Sequence, residues 1–318
     1  MDQSNPFKEK IVHFDLKGAP PTLKFYEKLF PLLKQMKVDG ILMEYEDMFP
    51  YWDELNVLKR RISYNVSILK AILELAFINN LEVIPLVQTF GHMEFVLKHE
   101  KYSAYREDIM NHDTICPSNE GSWHLITEML TQVRIMHPNA KRIHIGADEA
   151  YTIGKDIRCL NRLVFSKMIF ASAFKGANGQ NEFFCYIRRY LANQQSYVEL
   201  YEKEKKNLDG KISGIILTGW QRYNHYSPLC EILPVSIPSL IVDLIYLNNV
   251  ELTEDEIIEK AKLNNSEHGI VTMMNSGKAN YIISLEMMFM NCSFPGSKIY
   301  DEVRFALFFS FFFLSLKL

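Results

Sequence analysis

Short apolar runs alternate along the chain with stretches whose apolar residues recur at helical spacing, a pattern that predicts βα units around a parallel sheet. The first run, Ile11-Val-His-Phe-Asp-Leu16, is closed by Lys17-Gly-Ala-Pro-Pro21. The helix after it carries Leu23, Tyr26, Phe30, Leu33 and Met36 on one face. Gly40-Ile-Leu-Met-Glu-Tyr45 is the second strand and runs into an acidic, aromatic loop ending near Trp52. A helix with Ile68, Leu69, Ile72, Leu75 and Ala76 follows and stops at Asn79-Asn80. The third strand is Leu81–Val87, in which Pro85 argues against a central ladder position. After a longer insertion, Trp123 to Met136 reads as helix and Arg142–Ala147 as a short buried strand. Met168–Ala173 and Ser213–Gly219 complete the strands, with an amphipathic helix over Glu182–Lys205 between them and a charged helix near Glu254–Lys262. That makes about six strands where a closed barrel wants eight. The expected fold is therefore α/β, a TIM-type (β/α)8 barrel left incomplete.

Bulk properties narrow the function classes. The 318 residues accommodate one barrel of ~250 residues, and 48% hydrophobic against 23% charged content is enough for a sizeable core. A net charge of −3, with Lys and Arg interspersed among acids, gives no basic stripe for nucleic acid. The five cysteines, Cys116, Cys159, Cys185, Cys230 and Cys292, are widely spaced without a C-x-x-C pair. That spacing suggests neither a zinc site nor a disulfide framework, but buried free thiols in a reducing compartment. The N-terminus lacks the apolar core of a secretory signal, so an intracellular protein is expected. Phe305–Leu318 is apolar and Phe-rich but shorter than the ~20 residues a spanning helix needs, which argues against a stable membrane span. Its composition, unlike the rest of the chain, reads as an aberrant end. The expected division is a catalytic barrel over 1–253, shortened between 150 and 167, then a helical segment with the Phe-rich tail over 254–318.

If the strands are parallel neighbours, their C-terminal ends share one rim, where barrels of this kind carry their chemistry. The rim would hold Asp15 and Lys17, Glu44 and Tyr45, His92, Asp148 and Glu149, Lys175, Trp220 and Tyr223. Asp148 and Glu149 end the run Arg142-Ile-His-Ile-Gly-Ala-Asp-Glu149. Two adjacent carboxyls in one pocket raise each other's pKa, letting one act as a general acid. Acids, a histidine and aromatics beside glycine suit a sugar, since rings stack on a pyranose and carboxylates bind its hydroxyls. Each residue also has a plainer role. His92 alone fits a turn histidine; Glu44 fits an ion pair with Lys17; Trp220 fits a plug in the barrel mouth. Asp15 fits a cap for the helix beginning near Pro21, and His144 a satisfied core histidine behind the acids. A metal-dependent hydrolase using Asp15, His92 and Asp148 is a third reading, disfavoured because no His-x-His or His-Glu-x-x-His cluster accompanies them.

The stretches HIGADEAY, LVQTFGHMEFVLKH, EYEDMFPY, VHFDLKGAPP, and ASAFKGA followed by LTGWQRYNHYS resemble glycoside hydrolase family 20, in the family's order from about Ile11 to Ser239. The resemblance implies a (β/α)8 barrel in cytoplasm and nucleus, without metal or organic cofactor. Its substrate would be a glycan or glycoconjugate ending in N-acetyl-β-hexosamine, with a leaning to N-acetylgalactosamine; a homodimer is compatible with it. The implied mechanism is substrate-assisted and retaining, an exception to the two-carboxylate scheme. On this chain Glu149 would be the acid and then the base, and Asp148 would orient the acetamido group. Trp220 would wall the sugar subsite and His92 would lie on or behind it; Asp15, Glu44 and Tyr223 complete the substrate-binding set. The family has a block between the Asp-Glu strand and ASAFKGA that supplies two strands and pocket loops; here Ala150–Lys167 stands in its place. An incomplete pocket is thus expected. The alternative is a non-catalytic, sugar-binding or interaction form of the same barrel.

Overall fold

The computed structural model describes residues 7–18, 20–147, 149–160, 198–199, 202–203, 214–218, 240–253, 255–257 and 259–260. Strands β1 (Glu9–Asp15), β2 (Gly40–Glu44), β3 (Glu82–Leu86) and β6 (Gly214–Leu217) form a parallel sheet in the order β3-β2-β1-β6. Successive βα units place β2 and β3 to one side of β1, and the last described strand closes against its other side. This is the neighbour order of a barrel wound from β1. The register pairs Asp15 with Glu44 and Glu44 with Leu86, so the three strand ends lie level.

Period-two alternation gives the sheet two faces. Val12, Phe14, Leu16, Ile41, Met43 and Tyr45 join the large core against the helices, whereas Ile11, Leu42, Ile84 and Leu86 form a small separate cluster on the opposite face. By the same alternation, that second face carries His13, Asp15 and Glu44. Helix α1 (Leu23–Gln35) buries Phe25, Tyr26, Leu29, Phe30, Leu32 and Leu33. Helix α2 (Val66–Ile78) begins at Asn65, whose side chain accepts the Ile68 N–H, and stops where Asn80 turns left-handed at φ 56°, as its Asn-Asn signal predicted. The helical run 240–248 packs Ile241, Val242, Leu244, Ile245 and Leu247 into the same core. Its Asn248 side chain donates to the Met36 carbonyl, 2.9 Å away, at the end of α1.

Two features depart from the sequence reading. The insertion between β3 and the fourth strand holds a short α3 (Glu94–Leu97) and an antiparallel hairpin, β4 (Arg106–Asp108) with β5 (Asn111–Ile115). Its turn lacks the usual glycine: Asp108 accepts the Met110 N–H and the Asn111 side-chain amide, while Ile109 and Met110 stand exposed at the tip. Helix α4 (Glu120–Met136) starts ahead of the expected Trp123 because Asn119 caps it, accepting the Gly121 N–H.

Second, the buried strand expected at Arg142–Ala147 contributes one isolated parallel bridge, Leu86 with His144. His144 N–H donates to the Pro85 carbonyl and Val87 N–H donates to the His144 carbonyl. The next bond of a parallel ladder would run from residue 85 to the carbonyl of residue 142, and proline has no proton to give. Pro85 thus sits between neighbours on both sides and still ends the ladder. His144 is exposed rather than core, its Nδ1 accepting the Gly146 N–H at 3.1 Å. Arg142 stitches the opposite ends of the strands by gripping both Glu82 oxygens at 3.1 and 2.8 Å and Glu9 at 2.7 Å. Of the helix expected over Glu182–Lys205 only 198–199 and 202–203 are described, and they are helical; the expected strand at Met168–Ala173 and the tail Phe305–Leu318 lie outside the described residues. No helix among the described residues is long and apolar enough to cross a membrane.

The β1–β6 contact is tight: a Cβ on Gly214 would lie 2.5 Å from the Glu9 carbonyl oxygen. Gly214→Ala is expected to force the strands apart and lower the unfolding free energy by about 1–3 kcal/mol. Urea unfolding followed by circular dichroism checks this; an unchanged midpoint would count against a packed β1–β6 pair.

Candidate active site

The polar face of the sheet is densely paired at its C-terminal end. The Glu44 side chain is buried between the His13 Nε2, at 3.0 Å, and the Gln88 amide, which donates at 2.7 Å. Beside it, the Lys17 ammonium lies 3.0 Å from Glu46 and 3.6 Å from Asp15. Three buried carboxylates therefore surround one ammonium. Burial disfavours every charge here, and the outcome differs by position. For Lys17 the nearby Glu46, Asp15 and Glu44 outweigh burial and hold its pKa above the usual range. For Glu44 burial is likewise outweighed, by the His13 hydrogen bond, Lys17 and Gln88, and its carboxyl stays ionised well below the usual range. Glu46 goes the other way: burial, with Glu44 and Asp15 adding to it against Lys17, pushes it up to about 8. One of the three acids thus keeps its proton near neutrality.

Beneath this rim, Tyr45 OH lies 2.9 Å from Nε2 of His137, whose Nδ1 lies 2.8 Å from the Val133 carbonyl. Burial pushes His137 down to about 4 despite that carbonyl contact. The neutral ring therefore donates from Nδ1 to Val133 and accepts the tyrosine proton, tying α4 to the end of β2.

Glu149 follows the bridging segment, and its Oε2 lies 3.2 Å from Nε2 of His92. Both side chains reach solvent, 51% and 29% exposed respectively. Both also sit on left-handed backbone, His92 at φ 53° and Glu149 at φ 46°, as do Ala147 at φ 70° and Glu46 at φ 44°. Such conformations cost non-glycine residues of order 1–3 kcal/mol each and persist only where surroundings enforce them. The enforcement on His92 is visible. The Phe90 carbonyl accepts the Ile115 N–H at 3.0 Å and the Met93 N–H donates to the Asp113 carbonyl at 2.9 Å, so β5 brackets the turn on both sides. Gly146 supplies the other half of the geometry: at φ 62° it packs so closely on Gln88 that a Cβ would lie 2.0 Å from the amide oxygen.

Of the residues anticipated from sequence, the structure brings His92 and Glu149 together and puts Asp15 and Glu44 on the adjoining face. Asp15 does not cap a helix; its carboxylate accepts the Lys17 N–H at 3.3 Å and pairs with the same residue's ammonium. Glu44 takes His13 and Gln88 as hydrogen-bond partners, and Lys17 bonds Glu46 in its place. Asp148, Lys175, Trp220 and Tyr223 lie outside the described residues. Sequence reasoning missed His13, Glu46 and Gln88 as site residues. The signal for His13 was its place two residues before Asp15, which puts both on one face.

No protein-family model matches the chain. A Bos taurus protein named Hexosaminidase D is 36% identical over 327 residues, covering 77% of this chain and 94% of the relative. The chain belongs to the hexosaminidase D family. Its Homo sapiens member is 34% identical over 346 residues, covering 83% of this chain and 70% of that protein. Both aligned spans exceed the 318 residues of the chain itself while taking in only part of it, so these family members carry residues inside the match that have no counterpart here. The shortened reading of this hexosaminidase D relative has that support. Among solved structures, the chitobiase of Flavobacterium johnsoniae superposes with a TM-score of 0.61 at 11% identity, covering 85% of this chain and 53% of its own. The chain therefore spans about half the length of that protein. It shares the α/β barrel fold, which is unclosed among the described residues.

Glu46 supplies a pH-dependent readout of the rim. Its folded pKa is raised, so the stability tied to its proton is full below the ordinary value of 4.5 and is lost as pH rises toward about 8. Glu46→Gln, which is neutral throughout, is expected to gain in melting temperature over the unaltered protein progressively from pH 5 to pH 9. A difference that stays constant across that window would contradict a protonated Glu46.

Proposed function

We propose that this chain is a glycoside hydrolase that removes terminal, non-reducing N-acetyl-β-hexosamine from glycans or glycoconjugates, with N-acetylgalactosamine favoured. Residues 1–253 form its catalytic unit, working in cytoplasm and nucleus. Glu149 protonates the departing glycosidic oxygen while the substrate's own acetamido oxygen attacks C1; Glu149 then takes a proton from the incoming water. Asp148 steadies the acetamido N–H, Trp220 and Tyr223 wall the sugar, and Asp15 and Glu44 shape the charged floor beneath it. The observation that carries this reading is the His92–Glu149 pair at 3.2 Å, half open to solvent on strained backbone at the strand ends. A carboxyl so placed can reach a ligand, and a histidine beside it fixes its orientation. Relatives named for hexosaminidase activity support the substrate class.

The residues that those relatives carry inside the match, and this chain lacks, favour a second reading: a non-catalytic form that binds the sugar or a partner and turns nothing over. One set of assays separates the two. The full chain is expected to hydrolyse an aryl N-acetyl-β-galactosaminide faster than the matching glucosaminide. Glu149→Gln is expected to cut kcat by at least about 10²-fold while calorimetric binding of N-acetylgalactosamine is unchanged. Retained turnover in the variant would remove Glu149 from the chemistry; sugar binding without turnover by the unaltered chain would establish the second reading.

A further inference from the structure

Behind the site, three chemically active side chains converge where the proposed hydrolysis has no use for them. Glu107 lies on β4, Cys116 directly follows β5, and Cys159 lies in the helical turn at 157–160; all three are buried. The two sulfur atoms are 3.3 Å apart, and one carboxylate oxygen of Glu107 and both sulfurs fit within 4.8 Å of one another. Glu107 Oε1 is satisfied, accepting the backbone N–H groups of Gly154 at 2.7 Å and Asp156 at 3.2 Å. Its Oε2 is buried without a well-formed hydrogen bond, the Cys116 and Cys159 thiols being the donors that face the carboxylate. A buried carboxylate oxygen left unmatched is costly, and thiols are weak donors to relieve it.

We propose that Glu107 Oε2, Cys116 Sγ and Cys159 Sγ are the ligands of a soft divalent cation of the zinc type. Two thiolates with one carboxylate select such an ion over magnesium or calcium, which demand oxygen ligands. Zinc bonds sulfur at about 2.3 Å in a tetrahedral shell, which sets its sulfurs roughly 3.8 Å apart; the pair here needs to open by only about half an ångström to reach that spacing. A water completes the shell. Binding displaces the two thiol protons to solvent and changes no oxidation state. A Cys116–Cys159 disulfide would use the same sulfurs but leave the Glu107 oxygen stranded, so the cation accounts for all three residues.

The cation would be structural. It pins 152–160, the segment just after Glu149, to the hairpin that brackets the His92 turn, and so fixes both members of the pair from behind. The Thr152 hydroxyl, which donates to Asp113 at 3.0 Å, already follows the same path.

Cobalt titration of the chelator-stripped full chain under reducing conditions tests this independently of catalysis. About one equivalent is expected to produce thiolate-to-cobalt absorption in the near ultraviolet and tetrahedral bands in the visible. Those bands should persist in the variant with Cys185, Cys230 and Cys292 all changed to serine. They should vanish in Cys116→Ser with Cys159→Ser, and Glu107→Gln should weaken affinity by at least about 10-fold. Three results each overturn the site: no bands in the unaltered chain, bands lost only from the triple-serine variant, or a mass lower by two hydrogens with no metal taken up.

Discussion

The ammonium of Lys17, held among Asp15, Glu44 and Glu46, is the constraint around which the C-terminal end of the sheet is arranged. Three carboxylates cannot share a buried rim without a cation and a proton, and the lysine supplies the first while Glu46 retains the second. The ends of β1 and β2 are level because Asp15 and Glu44 are register partners. That pairing brings their acids close enough to need neutralising. Glu46 follows on left-handed backbone, which turns its side chain back toward the lysine. The rim is therefore charged but largely neutralised from within, and its side chains fix one another.

Above that rim, rigidity comes from a different source. His92 and Glu149 occupy conformations that their own side chains disfavour, and at His92 neighbouring backbone enforces it. The hairpin β4–β5 does this for His92, and its side chains also reach 152–160 through Glu107 and Asp113. The hairpin lies outside the parallel sheet yet braces the turn on one side and the chain after the acid on the other. Strain of this kind is what a preorganised site stores in its backbone.

The parallel strands β1, β2, β3 and β6 were legible because burial on both faces or strict alternation leaves a strong hydrophobic record. The helices α1, α2 and α4 were legible through their periodicity and, for α2, its terminal asparagines. The hairpin was not, since Ile109 and Met110 at its tip give no turn signal and the work is done by the Asp108 side chain. At the site, carboxylates at strand ends could be foreseen, but their partners could not. Which neighbour neutralises Glu44 depends on the strand register and on the reach of Gln88, neither of which a local pattern encodes. His144 was misread as core for the same reason: alternation says which side of a strand a residue faces, not whether anything covers that side.

Pro85 carries a consequence of its own. By withholding one proton at the third strand, it leaves the stretch ahead of Glu149 with one pair of backbone bonds to that strand, about His144, supplemented by the Thr89 hydroxyl on the Ile145 carbonyl and by the Arg142 side chain at the strands' other end. The acid-bearing segment is therefore secured less by the strand it leaves than by the chain that follows it, where Thr152, Gly154 and Asp156 bond to the hairpin.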